Sequence, residues 1–337
     1  MSKAHFGAIG VVGAGGWGTA LSVVLASKEI PVRLWGYEAQ HVEEMIRVRE
    51  NTPFLPGVPL SAPIHPTNTM TDLRGCSLLV FVPPSKAARA VAAALAASGL
   101  PPGLPVISCT KGIEHGTGLR MSQIVAEAMP AHPVGVLSGP SHAEEVARSS
   151  PTAVVIGAPD IDLAQRVQEL FATPSFRAYR SDDVAGIELG GALKNIYAIA
   201  AGICDGLGLG DNTKAALITR SLAEMIRLGV ALGGRRDTFQ GLSGIGDLMV
   251  TCFSKHSRNR GVGERLGRGE SAAAILGSMR MVAEGVPTAR SAAECARRLD
   301  IETPVLDQVQ AILEGAQTPD RALRELMTRD LRAESEA

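Results

Sequence analysis

The apolar run "AIGVV" at residues 8–12 leads straight into three glycines, at positions 13, 15 and 18 of "VVGAGGWGTAL". That spacing restricts the local fold tightly. A glycine at the first position permits a sharp turn, and at the second it lets the backbone approach a bulky anion. At the third it lets the following helix pack closely on the strand. The start of that helix offers unbonded N–H groups and the positive end of its dipole. A plain strand-to-helix turn needs one glycine rather than three at fixed offsets. The stretch is therefore read as a cradle for the pyrophosphate of a dinucleotide, framed by Gly13, Gly15 and Gly18. Trp17 fits core packing and cofactor contact equally well.

From residue 8 to about 180, short apolar runs alternate with helical stretches: "AIGVV", "PVRLW", "SLLVFV", "LPVISC", "VGVLSG" and "TAVVIG" are each followed by a helix-like segment. Such alternation predicts βαβ units, right-handed crossovers and a mainly parallel sheet. Residues 50–73, rich in Pro and Thr, read as a loop excursion. Past about residue 182 the strand signals stop, and helices are expected over 184–204, 213–232, 258–267, 271–276, 286–298, 304–314 and 319–328. The expected architecture is an α/β plus all-α chain. A Rossmann-like, doubly wound dinucleotide-binding domain covers 1–181 and an all-helical substrate domain covers 182–337. The charged tail "RDLRAESEA" is expected to fray.

The bulk composition excludes several classes of function. Lys plus Arg numbers 33 against 34 for Asp plus Glu, so nothing electrostatic argues for nucleic acid as a partner. Five cysteines at wide spacing, without a CxxC pair, point away from a disulfide framework or a zinc site and toward a reducing compartment. No metal site is expected. The N-terminus carries no small-residue cleavage site after its apolar run, so no signal peptide is read there. Residues 184–204 are long enough to cross a bilayer, but Glu188, Lys194 and Asn195 fall inside them, and such groups are costly in lipid. The segment is read as a buried helix of a cytoplasmic protein. A homodimer is the base-rate expectation. An NAD-preferring site usually carries an acid at the end of the second strand. Here Arg33 lies within that strand, which ends Trp35-Gly36-Tyr37 before Glu38. This leans toward NADP or dual use.

Several further stretches carry a resemblance: "ISCTKG" (107–112), "LSGPSHAEEVA" (137–147), "ELGGALKNIYAIAAGICDGL" (188–207), "GLSGIGDLMVTC" (241–252), "SRNR" (257–260) and "AEGVPTA" (283–289). Together with the glycine turn, over roughly residues 8–328, the chain resembles the NAD(P)-dependent sn-glycerol-3-phosphate dehydrogenases of the soluble bacterial kind. The resemblance implies interconversion of dihydroxyacetone phosphate and sn-glycerol 3-phosphate with NAD(P)H, feeding phospholipid synthesis. It implies Lys194 as the catalytic lysine. Lys111, Gly139, Ser141, Asp247, Ser257, Arg258 and Asn259 match the family's substrate contacts. Gly16, Trp17, Tyr37, Lys111, Ala143, Arg258, Val282 and Glu284 match its cofactor contacts. Two departures stand out. Gly16 replaces a common serine, and "GYE" at 36–38 lacks an arginine many relatives place there.

The same residues can be read from physical chemistry. Reducing a ketone by hydride transfer needs a positioned nicotinamide, a proton donor and a grip on the substrate's charged end. Lys194 lies in an apolar helix, with Gly190 and Gly191 a turn earlier leaving room beside its ammonium. A lysine desolvated there has its pKa pulled down from about 10.4, which suits acid–base work. The alternative is a structural lysine paired with Glu188 or reaching the surface. Asp247 would orient Lys194 or merely cap the helix "LMVT". Asn195 would fasten its helix or touch substrate. "KHSRNRG", with Lys255, Arg258 and Arg260 around Ser257 and Asn259, reads as a phosphate cradle at a helix start or as a solvated basic turn. Lys111 stands where ligands of open α/β sheets bind. Ser141 either meets substrate or caps a helix with Glu144. His142 is read as a helix-surface residue. Two rival readings remain: a β-hydroxyacid or sugar-acid dehydrogenase, which would bind a carboxylate, and a non-catalytic NAD(P)H-binding redox sensor.

Overall fold

The computed structural model describes residues 7–331 and 333–334. The expected fraying of the tail, and the start of the N-terminus, lie partly outside the described residues. The chain divides into two compact units. One runs up to Thr110 and resumes over Met121–Val184; the other comprises Lys111–Arg120 and the chain from Ala185 onward. The contacts thus divide after Val184 rather than after residue 181. Residues 111–120 pack with the helices rather than the sheet, an excursion that no composition shift announces.

The first unit is built on β1 (Ile9–Val12), α1 (Gly16–Ala26), β2 (Val32–Trp35), α2 (Ala39–Val48), β3 (Ile64–Thr67), β4 (Leu78–Phe81), α3 (Ala88–Ala97), β5 (Val106–Ser108), α4 (Met121–Ala128), β6 (Val134–Ser138), α5 (Ala143–Ala147), β7 (Thr152–Gly157), α6 (Ile161–Phe171) and β8 (Phe176–Ser181). The eight strands lie in the order β3-β2-β1-β4-β5-β6-β7-β8. The first six form the doubly wound order of a dinucleotide fold. All neighbours are parallel except β6 and β7. β1 and β4 are buried along their whole length, as a strand covered on both faces requires. β3 falls inside the stretch expected to be loop. It is an edge strand of four residues, and Pro66 is tolerated there because an edge N–H needs no partner.

The excursion between α2 and β3 is bonded at its base. Arg49 ends α2 with a left-handed φ of 54°. Its guanidinium donates to the carbonyls of Leu60, Ser61 and Ile64. Glu50 pairs with Pro59 across the neck, and the Glu50 carboxylate accepts from the Gly57 N–H at 3.0 Å.

The second unit is helical: α7 (Val184–Gly206), α8 (Asp211–Ala231), α9 (Arg236–Phe239), α10 (Asp247–Phe253), α11 (Arg258–Gly267), α12 (Ala272–Gly277), α13 (Gly285–Arg298), α14 (Pro304–Leu313) and α15 (Pro319–Met327). A single π-helical turn, Leu242–Gly246, runs directly into α10. α7 is the described helix long and apolar enough to cross a membrane, yet its apolar window is wholly buried within the protein. It is the core of this unit, with Leu193, Ile196, Tyr197 and Ile199 all at 1% exposure or less.

α7 and α11 meet main chain to main chain. A Cβ on Gly202 would lie 2.0 Å from the Arg260 carbonyl oxygen, and one on Gly263 would lie 1.9 Å from that of Ile199. Gly206 and Gly267 repeat the arrangement one turn on, at 2.3 Å from the Glu264 oxygen and 2.5 Å from the Ile203 oxygen. Only hydrogen fits at these four positions, each pair being four residues apart on its helix. Farther along, the buried Glu224 of α8 accepts from the N–H groups of Val305 (2.7 Å) and Leu306 (3.2 Å). It thereby caps α14, whose own N-cap Thr303 makes no side-chain capping bond.

Candidate active site

Two of the residues expected to act on substrate, Lys111 and Lys194, gather in the helical unit around one carboxylate, that of Asp247. Asp247 sits in the first turn of α10, behind the π turn, and is 1% exposed. Its Oδ1 accepts from Lys194 Nζ at 2.8 Å and its Oδ2 from Lys111 Nζ at 2.5 Å. The N-cap of α10 is Gly246, so the carboxylate is engaged with two ammonium groups and caps nothing. Gly190 explains how α10 comes so near α7. A Cβ there would lie 2.4 Å from the Ser243 carbonyl oxygen in the π turn. The glycine expected to leave space beside the ammonium instead admits backbone, and that approach delivers Asp247 to Lys194.

Lys194 itself is 6% exposed. Its Nζ also donates to Thr251 Oγ1 at 2.6 Å, and that hydroxyl donates to the Asp247 backbone carbonyl at 2.6 Å. An ammonium has three protons to give; Asp247 and Thr251 take two. Thr251 was missed from sequence, although it stands four residues after Asp247 on the same helix face. Burial pulls Lys194 down to about 8, with Asp247 opposing and Lys111 assisting the shift. Burial alone would push Asp247 upward, but Lys111 and Lys194 outweigh it and hold the carboxyl below its ordinary value. Two ammonium groups and one carboxylate leave one net positive charge in a buried place. Such a place favours an oxygen that is gaining negative charge. The neighbouring Cys252 thiol is pushed up to about 12 by burial, far from nucleophilic at neutral pH.

The alternative, a Lys194 paired with Glu188, does not form. Glu188 pairs with Arg120 instead, and Ile113 bridges to Arg120. Lys111 thus begins a segment pinned to α7 at its far end.

A second cluster stands at the start of α11. Ser257 is the N-cap, its hydroxyl accepting from the Arg260 N–H at 3.1 Å. Arg258 is exposed and donates to the Val282 carbonyl at 2.9 Å. Asn259 is buried: its Nδ2 donates to Asn195 Oδ1 at 2.9 Å, and its Oδ1 accepts from the Gly285 N–H at 2.8 Å. Asn195 thereby ties the lysine's helix to the cluster, and Glu284 sits beside Gly285 as the N-cap of α13. A cavity of about 260 Å³ opens here, lined by Lys255, His256, Ser257 and Arg258, with Val262 and Met279 among its apolar walls. Arg260, one of the basic residues of that stretch, pairs with Asp205 at 2.7 Å.

The remaining expected residues belong to the sheet unit. Gly13 has a φ of +123°, and its Cβ position lies 2.7 Å from the Val82 carbonyl oxygen. A Cβ on Gly18 would lie 2.0 Å from the Gly13 oxygen, whereas one on Gly15 would meet nothing within 4 Å. The first turn of α1 carries no acid and no side-chain cap. Open space over Gly15 and uncapped amides suit a pyrophosphate. Trp17 packs against the core, and its buried indole N–H has no acceptor among the described residues. A Cβ on Gly16 would lie 3.7 Å from that of Ala143 on α5. Tyr37, just past β2, is 85% exposed. Gly139, at φ +146°, follows β6, and Ser141 Oγ donates back to its carbonyl at 2.9 Å. The N-cap of α5 is His142, so the alternative reading of Ser141, a capping box with Glu144, does not hold.

Comparison with known proteins identifies the family. Residues 8–164 match the family model described as NAD-dependent glycerol-3-phosphate dehydrogenase N-terminus, and residues 183–324 match that of its C-terminus. The glycerol-3-phosphate dehydrogenase (NAD(P)+) of Geobacter sulfurreducens is 52% identical over 330 residues, spanning 97% of this chain and 98% of that protein. That of Thermus thermophilus is 48% identical over 328 residues, spanning 97% and 99%. The crystal structure of glycerol-3-phosphate dehydrogenase from Coxiella burnetii superposes with a TM-score of 0.93 at 38% identity, covering 96% of this chain and 99% of that one. The chain therefore belongs to the NAD-dependent glycerol-3-phosphate dehydrogenase family.

Proposed function

We propose that this protein interconverts dihydroxyacetone phosphate and sn-glycerol 3-phosphate with NAD(P)H, supplying glycerol 3-phosphate for phospholipid synthesis. The observation that carries the proposal is the Lys194 ammonium: buried, poised near neutrality, and with one proton left after Asp247 and Thr251 take theirs. The hydride comes from the nicotinamide of the bound cofactor. Lys194 polarises the C2 carbonyl and gives its proton to the oxygen as charge develops. In the oxidising direction, as the amine, it takes the hydroxyl proton back. Asp247 orients Lys194 and keeps enough ammonium present at neutral pH, and Lys111 adds a second positive charge. Arg258 grips the substrate phosphate through its fork of donors, with Ser257 and Asn259 beside it. Gly139 and Ser141 complete the substrate contacts. Gly13, Gly15, Gly16, Trp17 and Gly18 hold the pyrophosphate. Tyr37, Ala143, Val282 and Glu284, with Lys111 and Arg258, complete the cofactor contacts.

The protein works as a homodimer in the cytoplasm on this reading. The dimer rests on the prevalence of two-fold homo-oligomers, and the compartment on five buried free thiols. The deciding experiment is NAD(P)H oxidation with dihydroxyacetone phosphate, comparing wild type with Lys194→Ala. A loss of kcat on the order of 10²–10⁴ is expected for removal of a general acid. Near-normal turnover would refute the assignment of Lys194. Turnover of a 3-hydroxy acid in place of the phosphoester would favour a hydroxyacid dehydrogenase, and cofactor binding without turnover a redox sensor.

A further inference from the structure

Asn51, in the excursion after α2, is fully buried, and all its side-chain polar atoms are committed. Its Nδ2 donates to the Ala14 carbonyl at 2.9 Å and to Thr19 Oγ1 at 2.7 Å. Its Oδ1 faces His41 Nε2 at 2.9 Å; since Oδ1 can only accept, the imidazole carries its proton on Nε2. The Thr19 hydroxyl passes the chain on to the Gly15 carbonyl at 2.9 Å. One buried side chain thus holds the carbonyls of Ala14 directly and Gly15 through one hydroxyl, both from the same side of the glycine turn.

In a trans peptide the C=O and the N–H of the next residue point in opposite directions. Fixing the Ala14 and Gly15 carbonyls toward Asn51 and Thr19 therefore turns the Gly15 and Gly16 N–H groups the other way, the way a pyrophosphate must approach. The loop that supplies Asn51 also touches the helix start itself. The Asn51 carbonyl accepts from the N–H groups of Phe54 (3.2 Å) and Leu55 (2.8 Å). The Phe54 carbonyl oxygen in turn lies only 2.8 Å from the place a Gly16 Cβ would occupy. The His41 ring leans on Phe54 with 5.1 Å between centroids.

We infer that Asn51 is a positioning residue for the dinucleotide, and that the 49–60 loop it anchors forms a side wall of the pyrophosphate cradle. Asn51 acts through the turn and not by touching the cofactor. The inference rests on reading the glycine turn as the cofactor site.

The test is equilibrium binding of NADH and of ADP-ribose, which keeps the pyrophosphate and lacks the nicotinamide. Binding is read by fluorescence and competition, well below each variant's melting temperature. Asn51→Ala should weaken both ligands together by on the order of tenfold, the scale of hydrogen bonds lost from a buried group. Thr19→Val, which keeps shape and loses one hydroxyl, should weaken both by roughly threefold. The cofactor KM should rise by more than kcat falls. Affinities within twofold of wild type in a folded Asn51→Ala would overturn the inference, even if its melting temperature drops, because that is the signature of a purely structural residue. Should Asn51→Ala not fold, Thr19→Val decides: unchanged affinity for both ligands overturns it. Wild-type protein that binds neither NADH, NADPH nor ADP-ribose would instead overturn the cofactor site itself, and the inference with it.

Discussion

Replacing Asp247 by Asn probes the electrostatic balance of the site. The substitution keeps shape and an acceptor oxygen but removes the one negative charge that touches both ammonium groups, at 2.8 Å from Lys194 and 2.5 Å from Lys111. Lys194 already stands at about 8 because desolvation outweighs the help of Asp247. An opposite charge at hydrogen-bond distance shifts a pKa by about 1–3 units, so in the variant Lys194 should fall to roughly 5–7. Near pH 7.5 a group of pKa about 8 is roughly three-quarters protonated, and one of pKa about 6 only about 3%. The ammonium is the competent form for reduction, so activity is lost as pH rises through its pKa. The variant should therefore lose on the order of 25-fold in kcat near pH 7.5 and regain part of it as the pH is lowered toward 6. In the oxidising direction, where the amine is competent, the rising limb should move to lower pH by the same amount. The assay is kcat for dihydroxyacetone phosphate reduction and glycerol 3-phosphate oxidation over about pH 5.5–9.5. A falling limb that stays near 8 or moves up, in a variant whose thermal melt shows it folded, contradicts the reasoning.

Arg258→Ala leaves the Val282 carbonyl without its donor and should raise the KM for dihydroxyacetone phosphate by roughly 10- to 100-fold, the scale of charge-assisted bonds, with a smaller loss in kcat. An unchanged KM would move the phosphate elsewhere. Gly16→Ala should lower stability by about 1–2 kcal/mol, although alanine is the better helix former, because its Cβ would lie 2.8 Å from the Phe54 oxygen. A higher melting temperature would show that the loop yields easily. Burial raises Glu224 to about 7 from an ordinary 4.5, so between those values the native state holds the proton more tightly than the unfolded chain. The contribution of this group to stability is complete below about 4.5, declines as pH rises and is lost above about 7. Glu224→Gln should flatten that slope in thermal melts, and an undiminished slope would assign it to other groups.

Much of this was legible because glycine and periodicity are local signals. The turn at Gly13, Gly15 and Gly18, the strand–helix alternation and the long helices from α7 onward could all be read from spacing. Helices α11, α13 and α14 start or end within a residue of their expected bounds. What escaped is what only tertiary contact creates. β3 carries a proline and four residues, too weak a pattern to separate from loop. β8, "FRAYRS", alternates buried and exposed residues but is short and charged. The meeting of Lys111 with Asp247 spans 136 positions in sequence, and no local pattern encodes it. Thr251 became visible only when α10 placed it beside Lys194. Gly190 was correctly marked as meaningful for a reason that proved different: it makes way for the main chain of the π turn rather than for an ammonium.

The four glycines between α7 and α11 have a consequence for how this active site can change. One helix carries Lys194 and the other begins at Arg258, and no side chain separates them where they cross. On the proposed assignment, the gap between proton donor and phosphate grip is gauged by peptide groups in direct apposition, like two rulers clamped face to face. Trimming or enlarging residues around the ligand cannot alter that gauge. Accepting a phosphoester one carbon longer would demand that the clamp itself be re-cut, at positions where the smallest possible addition, a single methyl, already collides with a carbonyl.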